Sequence, residues 1–458
     1  MSDDPLACTE ERALRATGIQ VKDSREVLAL ATQDLFWDDS ANQYWRFFEK
    51  EASVIRTKED LKLHLRIRGL SDIAPKGQEN SPVDHAISYI QATRRVKGAG
   101  PFLYCPDKIV WHMGRPYVNT SMVVPVTPVT QKVQWGEGFP WLGQYLTKLL
   151  ADRSEQFAIF QAWVAHFYHQ ALIGKPSTGM ALILAGPSSI GKNFLGTAVL
   201  GQLFGGCRDA SSFILGSDQF NSSLSDTPLW TLHDAALQDD RSRDTFSQNL
   251  KRVVANRELI VRAMYREGIG LPWNGRILIT MNLDPESLRM VPNMDISNLE
   301  KLLLLKGSPA GMDRFPSDEE IMRELPFYAA WLRDFKVPAE LASDRFGVKH
   351  WHHPELFEAA QAESGTAGAM ELLDLFRDYL FEGTKLTEWH GTATELYMLM
   401  LDCPTGLGAS AGRLFRSAKS LGMAIGKLEA QGIPWIKKER STSVDRKRGI
   451  VIHRPVAK

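Results

Sequence analysis

The chain has 458 residues, enough for two to four domains of ordinary size. Apolar residues make up 44% and charged residues 24%, which excludes disordered, collagen-like and low-complexity proteins. Lys and Arg balance Asp and Glu at 54 each, but residues 412–458 hold twelve Lys and Arg against three Asp and Glu, a net charge of +9. This end of the chain is either a docking surface for an anionic partner or a solvated basic tail.

Signals for membranes, secretion and structural zinc are missing from the sequence. We expect no membrane span, because no run of 18 apolar residues occurs. The acidic start lacks the apolar core of a secretory signal. The four cysteines, Cys8, Cys105, Cys207 and Cys403, form no CxxC pair, which excludes a thiolate zinc site and indicates a reducing compartment. We therefore expect a cytoplasmic location in a bacterial or infected host cell.

Residues 1–150 form the first predicted domain, of mixed α/β structure. Segments 23–38 and 42–70 have helical spacing, and residues 101–121 are typical of short strands around the turn at 112–115. The segment carries no catalytic pattern. We expect it to serve as a collar, a docking domain or a regulatory domain.

Residues 151–340 form the second predicted domain, with a parallel sheet. An amphipathic helix over 154–174 is followed by a short apolar run at 180–185, a helix at 193–206, and further apolar runs at 229–234 and 276–282. A helix is predicted between the last two runs. Apolar strands that alternate with helices indicate a parallel sheet with its active residues at the carboxyl ends of the strands.

The rest of the chain is predicted to be a linker, 341–369, and a basic winged helix-turn-helix domain, 370–458. The pattern is helices followed by a two-stranded hairpin with a basic tip. The basic residues expected to contact phosphates are Lys419 and Lys427 on the recognition helix and Lys437, Lys438, Arg440, Arg446, Lys447 and Arg448 on the wing.

A phosphate-binding loop follows the first apolar strand. Its residues fit GxxxxGK and are Gly186, Pro187, Ser188, Ser189, Ile190, Gly191, Lys192 and Asn193. The glycines allow backbone N–H groups to surround the β-phosphate of ATP, and Lys192 would reach the β- and γ-phosphates. Asn193 stands where a Ser or Thr usually binds Mg²⁺, and its amide oxygen can serve as the ligand.

Two polar residues end the neighbouring apolar strands. Asp234 is the candidate to hold Mg²⁺ beside the loop. In many such ATPases a Glu follows this Asp and orients the attacking water, but this chain has Ala235 there. Asp239 or Asp240 either takes that role or is an exposed acidic residue of a loop. Asn282 either positions the attacking water against the γ-phosphate or is a turn residue.

The order of GPSSIGKN, LWTLHD, LKRVVANRELIVRAMYREG and RILITMN resembles the superfamily 3 helicases, in particular the helicase part of phage, plasmid and poxvirus primase-helicases. The resemblance covers residues 150–340, and GKN is a tolerated variant in that family. It implies an AAA+-like P-loop NTPase that assembles as a ring, usually a hexamer. ATP would bind between subunits, and single-stranded DNA would pass through the centre.

The resemblance also implies a DNA-contacting hairpin over 261–268. Its candidate DNA contacts are Arg262, Tyr265 and Arg266, with Lys251 on the preceding helix, although an exposed hairpin with ordinary salt bridges has the same composition. A neighbouring subunit would supply an arginine at the γ-phosphate. Arg289 is the first candidate, followed by Lys301 and Arg314.

Three functions fit these features. The first is an ATP-dependent DNA helicase of a viral, phage or mobile-element replication module. It would act on single-stranded and forked DNA beside a separate primase, since no zinc-finger cysteines or polymerase-type acidic pair occur. The second is a replication initiator that melts or assembles on origin DNA. The third is a P-loop ATPase of host defence or signalling.

Overall fold

A computed structural model describes residues 28–49, 51–233, 240–256, 258–262, 268–288, 290–292, 300–309, 311–312, 314–361, 376, 380–381, 386–402, 417–430, 435–440 and 448–454. The chain divides into two compact units, Met1–Leu356 and Phe357–Lys458. No helix in the described ranges is long and apolar enough to cross a membrane.

The first sheet in the described residues of the first unit has four strands in the order β3-β2-β1-β4, and two helices follow β3 along the chain. These elements are β1 (Leu35–Asp38), β2 (Gln43–Phe48), β3 (Glu51–Ile55), α1 (Lys58–Ile67), α2 (Pro82–Thr93) and β4 (Arg95–Val96). The prediction of a helix over 42–70 is wrong for its first half, which forms β2 and β3. Strand-forming aromatic residues such as Tyr44, Trp45 and Phe47 dominate there, and sheet pairing prevails over the helical spacing.

A small three-stranded sheet follows, of order β5-β7-β6. Its strands are β5 (Gly98–Gly100), β6 (Ile109–His112) and β7 (Arg115–Asn119). The predicted strands around residues 112–115 are confirmed. Met113 and Gly114 both have positive φ, 50° and 73°, as the tight primed turn of a hairpin requires.

The remainder of the first unit alternates strands and helices. In chain order these are α3 (Pro140–Leu149), α4 (Ser154–Leu172), β8 (Ala181–Ala185), α5 (α-helical over Lys192–Phe194 and Gln202–Phe204, π-helical over Leu195–Gly201), β9 (Cys207–Asp209), α6 (Ser211–Ile214), β10 (Leu229–His233), α7 (Asp240–Ala255), β11 (Leu259–Val261), β12 (Ile269–Leu271), β13 (Arg276–Met281), α8 (Pro285–Leu288), β14 (Leu302–Lys306), α9 (Asp318–Asp334), β15 (Ala342–Ser343), β16 (Gly347–Val348) and β17 (Trp351–His352). The next helix, α10 (Pro354–Gln361), begins in the first unit and ends in the second.

Six of these strands form one parallel sheet of order β17-β14-β8-β13-β10-β9. The prediction of a parallel sheet is confirmed, and the predicted apolar runs are β8, β10 and β13. Every residue of β8 and of β13 is buried, as expected for strands covered on both faces. The sixth strand, β17, lies within the segment that the sequence predicts to be a linker.

The described residues of the second unit include a three-stranded antiparallel sheet and two helices. Its elements are β18 (Glu388–Gly391), α11 (Ala393–Leu401), α12 (Ala418–Ala430), β19 (Ile436–Arg440) and β20 (Arg448–His453), with sheet order β18-β20-β19. Leu396, Leu421, Ile425 and Ile452 are among the residues of its apolar core. The predicted helices at 393–402 and 417–432 and the predicted C-terminal hairpin are confirmed, whereas the helix predicted at 371–381 lies almost entirely outside the described residues.

Candidate functional site

The predicted phosphate-binding loop connects β8 to α5 at the carboxyl edge of the parallel sheet. The backbone at the start of the loop is held by the two neighbouring strands. Gly186 N donates to Met281 O of β13 at 3.1 Å, and Gly307 N, directly after β14, donates to Ala185 O at 2.7 Å. The loop therefore starts from a fixed position between β13 and β14, with the first turn of a helix at its end.

Two glycines are needed for the path of this loop. A Cβ on Gly186 would lie 2.7 Å from Ile190 Cδ1 and 2.8 Å from Gly307 O, so only glycine fits without a shift. Gly191 has φ +95°, in the left-handed region that favours glycine. Ser189 also has positive φ, 61°, and this strained backbone is typical of binding loops.

Lys192 lies against its own loop and against Asn282. Its ammonium donates to Gly186 O at 2.9 Å, Pro187 O at 2.7 Å and Asn282 Oδ1 at 3.1 Å, and the side chain is buried. Ser188 Oγ donates to the same Asn282 oxygen at 3.3 Å. The two sequence-predicted residues Lys192 and Asn282 are thus in direct contact.

Asn193 belongs to a hydrogen-bonded chain that the sequence did not predict. Thr280 Oγ1 donates to Asn193 Oδ1 at 2.8 Å, so the Thr280 oxygen accepts from His233 Nδ1, also at 2.8 Å. Asn193 Oδ1 retains a second lone pair, as a Mg²⁺ ligand requires. His233 is the residue before Asp234, so this chain connects the loop to the strand that leads to the candidate metal ligand. The only sequence signal was the position of Thr280 two residues before Asn282.

Several predicted residues lie outside the described part of the chain. They are Asp234, Ala235, Asp239, Tyr265, Arg266, Arg289, Arg446 and Lys447. For Asp240, Lys427, Lys438, Arg440 and Arg448 the structure describes the backbone element but not the side chain.

The two further arginine-finger candidates lie in different surroundings. Lys301 is buried directly before β14, and its carbonyl accepts from Ala181 N at 3.0 Å, at the edge of the sheet opposite the loop. Arg314 is exposed and forms a two-pronged pair with Glu320, with distances of 2.8 and 2.6 Å. This pairing raises the pKa of Arg314 and lowers the pKa of Glu320 to about 2.

A charged network lies at the carboxyl end of β14, beside the loop. His353 is fully buried, and its Nε2 lies 2.6 Å from Asp152 Oδ2. Lys306 Nζ lies 2.6 Å from Glu355 and 3.5 Å from Asp152. The hydrogen bond with His353 is the main cause that lowers the pKa of Asp152, and the bond with Glu355 raises the pKa of Lys306.

The predicted DNA hairpin has its strands in place. β11 pairs with β12 in antiparallel register. The Asn221 side chain anchors the first strand: it donates to Ile260 O at 3.0 Å and accepts from Arg262 N at 2.7 Å. Arg262 is exposed and Lys251 is half-buried on α7. An open groove of about 850 Å³ runs beside the hairpin. Its polar lining combines two basic and two acidic residues with amides: Arg252, Arg262, Asp218, Glu258, Gln219, Asn249 and Asn256.

In the second unit, two of the predicted basic residues have described side chains. Lys419 on α12 and Lys437 on β19 are both exposed. Lys437 pairs in register with Val451 of β20, so it projects from the hairpin that carries the predicted wing.

Comparison with known proteins gives one family match and several structural ones. A family described as one of unknown function, DUF5906, matches residues 184–295, from β8 through β13. No curated protein matches the chain.

Two solved structures of the NrS-1 C-terminal region in the apo form are similar to this chain over nearly their whole length. One has a TM-score of 0.56 at 14% identity and covers 95% of this chain and 100% of that chain. The other has a TM-score of 0.54 at 13% identity and covers 93% and 98%. The solved structures that match also include an active helicase, SCCmec type IV Cch, at a TM-score of 0.29 and 11% identity, covering 87% and 72%. The likeness to the NrS-1 region shows a shared fold.

Proposed function

We propose that this chain is an AAA+-like P-loop ATPase of the superfamily 3 type and that it works as an ATP-dependent DNA helicase. The observation that carries the proposal is the 3.1 Å contact between Lys192 Nζ and Asn282 Oδ1 at the carboxyl edge of a parallel sheet. Counted from β8, the strand before the loop, the five strands of the sheet other than β17 have the order 5-1-4-3-2, which supports the AAA+-like assignment.

The residues of the loop suit a nucleoside triphosphate with Mg²⁺. Lys192 would exchange its bonds with Gly186 O and Pro187 O for the β- and γ-phosphates. Asn193 and Asp234 would hold the metal ion, whose charge offsets that of the phosphates. Asn282, already beside the lysine ammonium, would orient the attacking water.

DNA contact would come from the hairpin of the first unit. The exposed Arg262 and the polar groove beside it suit a sugar-phosphate backbone. By the resemblance to superfamily 3, six subunits would form a ring around single-stranded DNA, with Arg289 of one subunit at the nucleotide of the next. A separate primase would supply the primers.

The second unit favours a further candidate function. Its element order, β18, two helices and a hairpin, supports a winged helix, and Lys437 is exposed on the hairpin. A replication initiator would use such a domain to bind origin DNA, with ATP driving assembly or melting.

Hydrolysis of ATP by the full chain, with and without single-stranded DNA and at two salt concentrations, tests the proposal. We expect DNA to raise the rate several-fold, salt to suppress that rise, and Lys192→Ala to abolish hydrolysis, because it removes the cation at the phosphates. Lys148→Ala, on α3, is the matched control. A hydrolysis rate that does not change with DNA would contradict the helicase proposal and favour the initiator. DNA-stimulated hydrolysis without strand separation on a forked substrate would also favour the initiator.

A further inference from the structure

Four aromatic side chains gather beside the phosphate-binding loop, and we name them the aromatic cluster: Trp141 and Tyr145 of α3, Phe194 of α5, and Phe315 between β14 and α9. Trp141 and Tyr145 are stacked with ring centroids 5.0 Å apart and planes 16° apart. Phe315 lies 5.0 Å from Phe194 and 5.7 Å from Trp141 in edge-to-face arrangements. Three separate elements thus bring their rings to one place.

The aromatic cluster contacts the helix end of the loop. Tyr145 OH donates to Gly191 O at 2.8 Å, and a Cβ on Gly191 would lie 2.7 Å from the Phe315 ring. Phe194 is two residues after Lys192. Since Lys192 and Asn282 lie where the γ-phosphate is expected, the nucleoside would leave the loop at its other end, past the first residues of α5.

Two hydrogen bonds hold Trp141 in place, in addition to its stacking on Tyr145 through one ring face. Its Nε1 donates to Arg314 O at 3.2 Å, and its backbone N donates to Glu324 Oε1 at 3.2 Å. Glu324 also accepts from Leu142 N at 2.8 Å and so caps the start of α3 from a distant helix. Burial raises the pKa of this carboxyl.

The aromatic cluster offers ring surface but few polar atoms. The accessible ring surface comes from three of the four members: Phe315 is 40% exposed and Trp141 and Phe194 are half-buried, whereas Tyr145 is buried beneath Trp141. The two polar groups that the cluster carries, Tyr145 OH and Trp141 Nε1, are both bonded to backbone carbonyls of the protein. A base placed here would meet π-faces without hydrogen bonds to its edges from these four side chains.

We propose that the aromatic cluster stacks the base of the bound nucleoside triphosphate and accepts purines without distinguishing adenine from guanine. The proposal rests on the function proposed above and adds the substrate class. Stacking depends on ring area, which every purine supplies, whereas discrimination between bases needs hydrogen bonds to their edges. ATP and GTP are therefore both substrates, and the smaller pyrimidine of UTP binds more weakly.

Calorimetric binding of ATP, GTP, UTP and inorganic tripolyphosphate, each with Mg²⁺, to the full chain tests the proposal. For the wild-type chain we expect Kd values of ATP and GTP within about threefold of each other, since both purines stack on the same rings. Phe315→Ala should weaken both by about 5- to 100-fold and leave tripolyphosphate unchanged, because only the base contact is lost. Phe48→Ala, at another exposed phenylalanine, is the matched control, and Phe315→Leu retains apolar volume without the π-face.

The other outcomes separate the two proposals. If tripolyphosphate bound tightly and ATP bound equally well to the wild-type and Phe315→Ala chains, the proposed base site would be wrong, while the proposed phosphate-binding role of the loop would stand. If the wild-type chain bound ATP at least tenfold more tightly than GTP, the site would distinguish the two purines, and the proposal that it does not would be wrong. If the wild-type chain bound neither ATP nor tripolyphosphate, the proposed function would fail, and the base site with it.

Discussion

The Thr280 hydroxyl on β13 donates to the side-chain oxygen of Asn193, in the first turn of α5, at 2.8 Å. The bond fixes which way the Asn193 amide faces, and His233 in turn fixes the Thr280 hydroxyl. An asparagine in the position of the usual Ser or Thr thus has a partner on β13 that holds its oxygen in place. The pairing explains how an amide can serve where a hydroxyl is usual.

Replacement of Thr280 by Val tests this pairing. The change retains the shape of the side chain and removes the hydroxyl, so Asn193 loses the donor that orients it. We expect the Mg²⁺ concentration for half-maximal ATP hydrolysis to rise about three- to tenfold, the equivalent of one neutral hydrogen bond. A magnesium titration of the rate measures this, with Thr280→Ser as the control that retains the hydroxyl. An unchanged magnesium requirement would refute the orienting role of Thr280.

Asn282 is predicted to act on the reaction more than on the fold. Asn282→Ala removes the amide beside the Lys192 ammonium and should lower kcat by about 100-fold, with ATP binding nearly unchanged, because one preorganised polar group is lost. Single-turnover hydrolysis and equilibrium binding measure the two quantities. If Asn282 were a turn residue alone, the variant would lose stability and retain its kcat.

Ser188→Ala serves as the control for Asn282. It removes the other hydrogen bond to the same oxygen and leaves the amide in place. Its kcat should remain within about threefold of wild type, since a partly exposed hydroxyl bond contributes little.

Asp152 is predicted to stabilise the fold through the buried His353. Asp152→Asn removes the carboxylate 2.6 Å from a ring that is fully buried, and should lower the free energy of unfolding by about 1–3 kcal/mol. Urea unfolding measures the loss. Glu355→Gln breaks a contact of equal length in the same network, but at an exposed site, and should leave the stability within experimental error. Equal losses for the two variants would contradict the dependence on burial.

His166 should make the stability depend on pH. Burial, aided by the charge of Arg276, lowers the pKa of His166 to about 4, below the usual 6.5. Between these two values the unfolded chain binds the extra proton, so the stability rises with pH from 4 to 6.5, by about 3 kcal/mol from this residue. Urea unfolding at pH 4.5, 5.5 and 7 should show a smaller rise for His166→Gln. Identical slopes in the variant and the wild type would refute the assignment.

The local signals of the sequence were sufficient for the elements that lead to the loop. The all-apolar run before Gly186 predicted β8, and the glycines with Lys192 predicted the turn into α5. The contact of Lys192 with Asn282 followed from one rule, that the carboxyl ends of parallel strands meet at one edge.

Long-range packing produced what the sequence did not indicate. Trp141 and Phe315 are more than 170 residues apart, and only the fold brings their rings together. β17 is two residues long and is defined by its pairing with Leu303 and Leu304, which no local pattern encodes. Residues 42–55 failed as a helix because their spacing was ambiguous and their aromatic residues favoured pairing.

The π-helical stretch Leu195–Gly201 has a consequence for the length of α5. A π-helix bonds residue i to i+5, so it holds roughly one more residue per turn than an α-helix. The extra residue is taken up as a local bulge, and the flanking α-helical turns stay in phase with each other. One residue could therefore be deleted between 195 and 201 while Lys192 still faces the loop and Gly205 still ends the helix, a tolerance to length change that a regular α-helix at this position would not have.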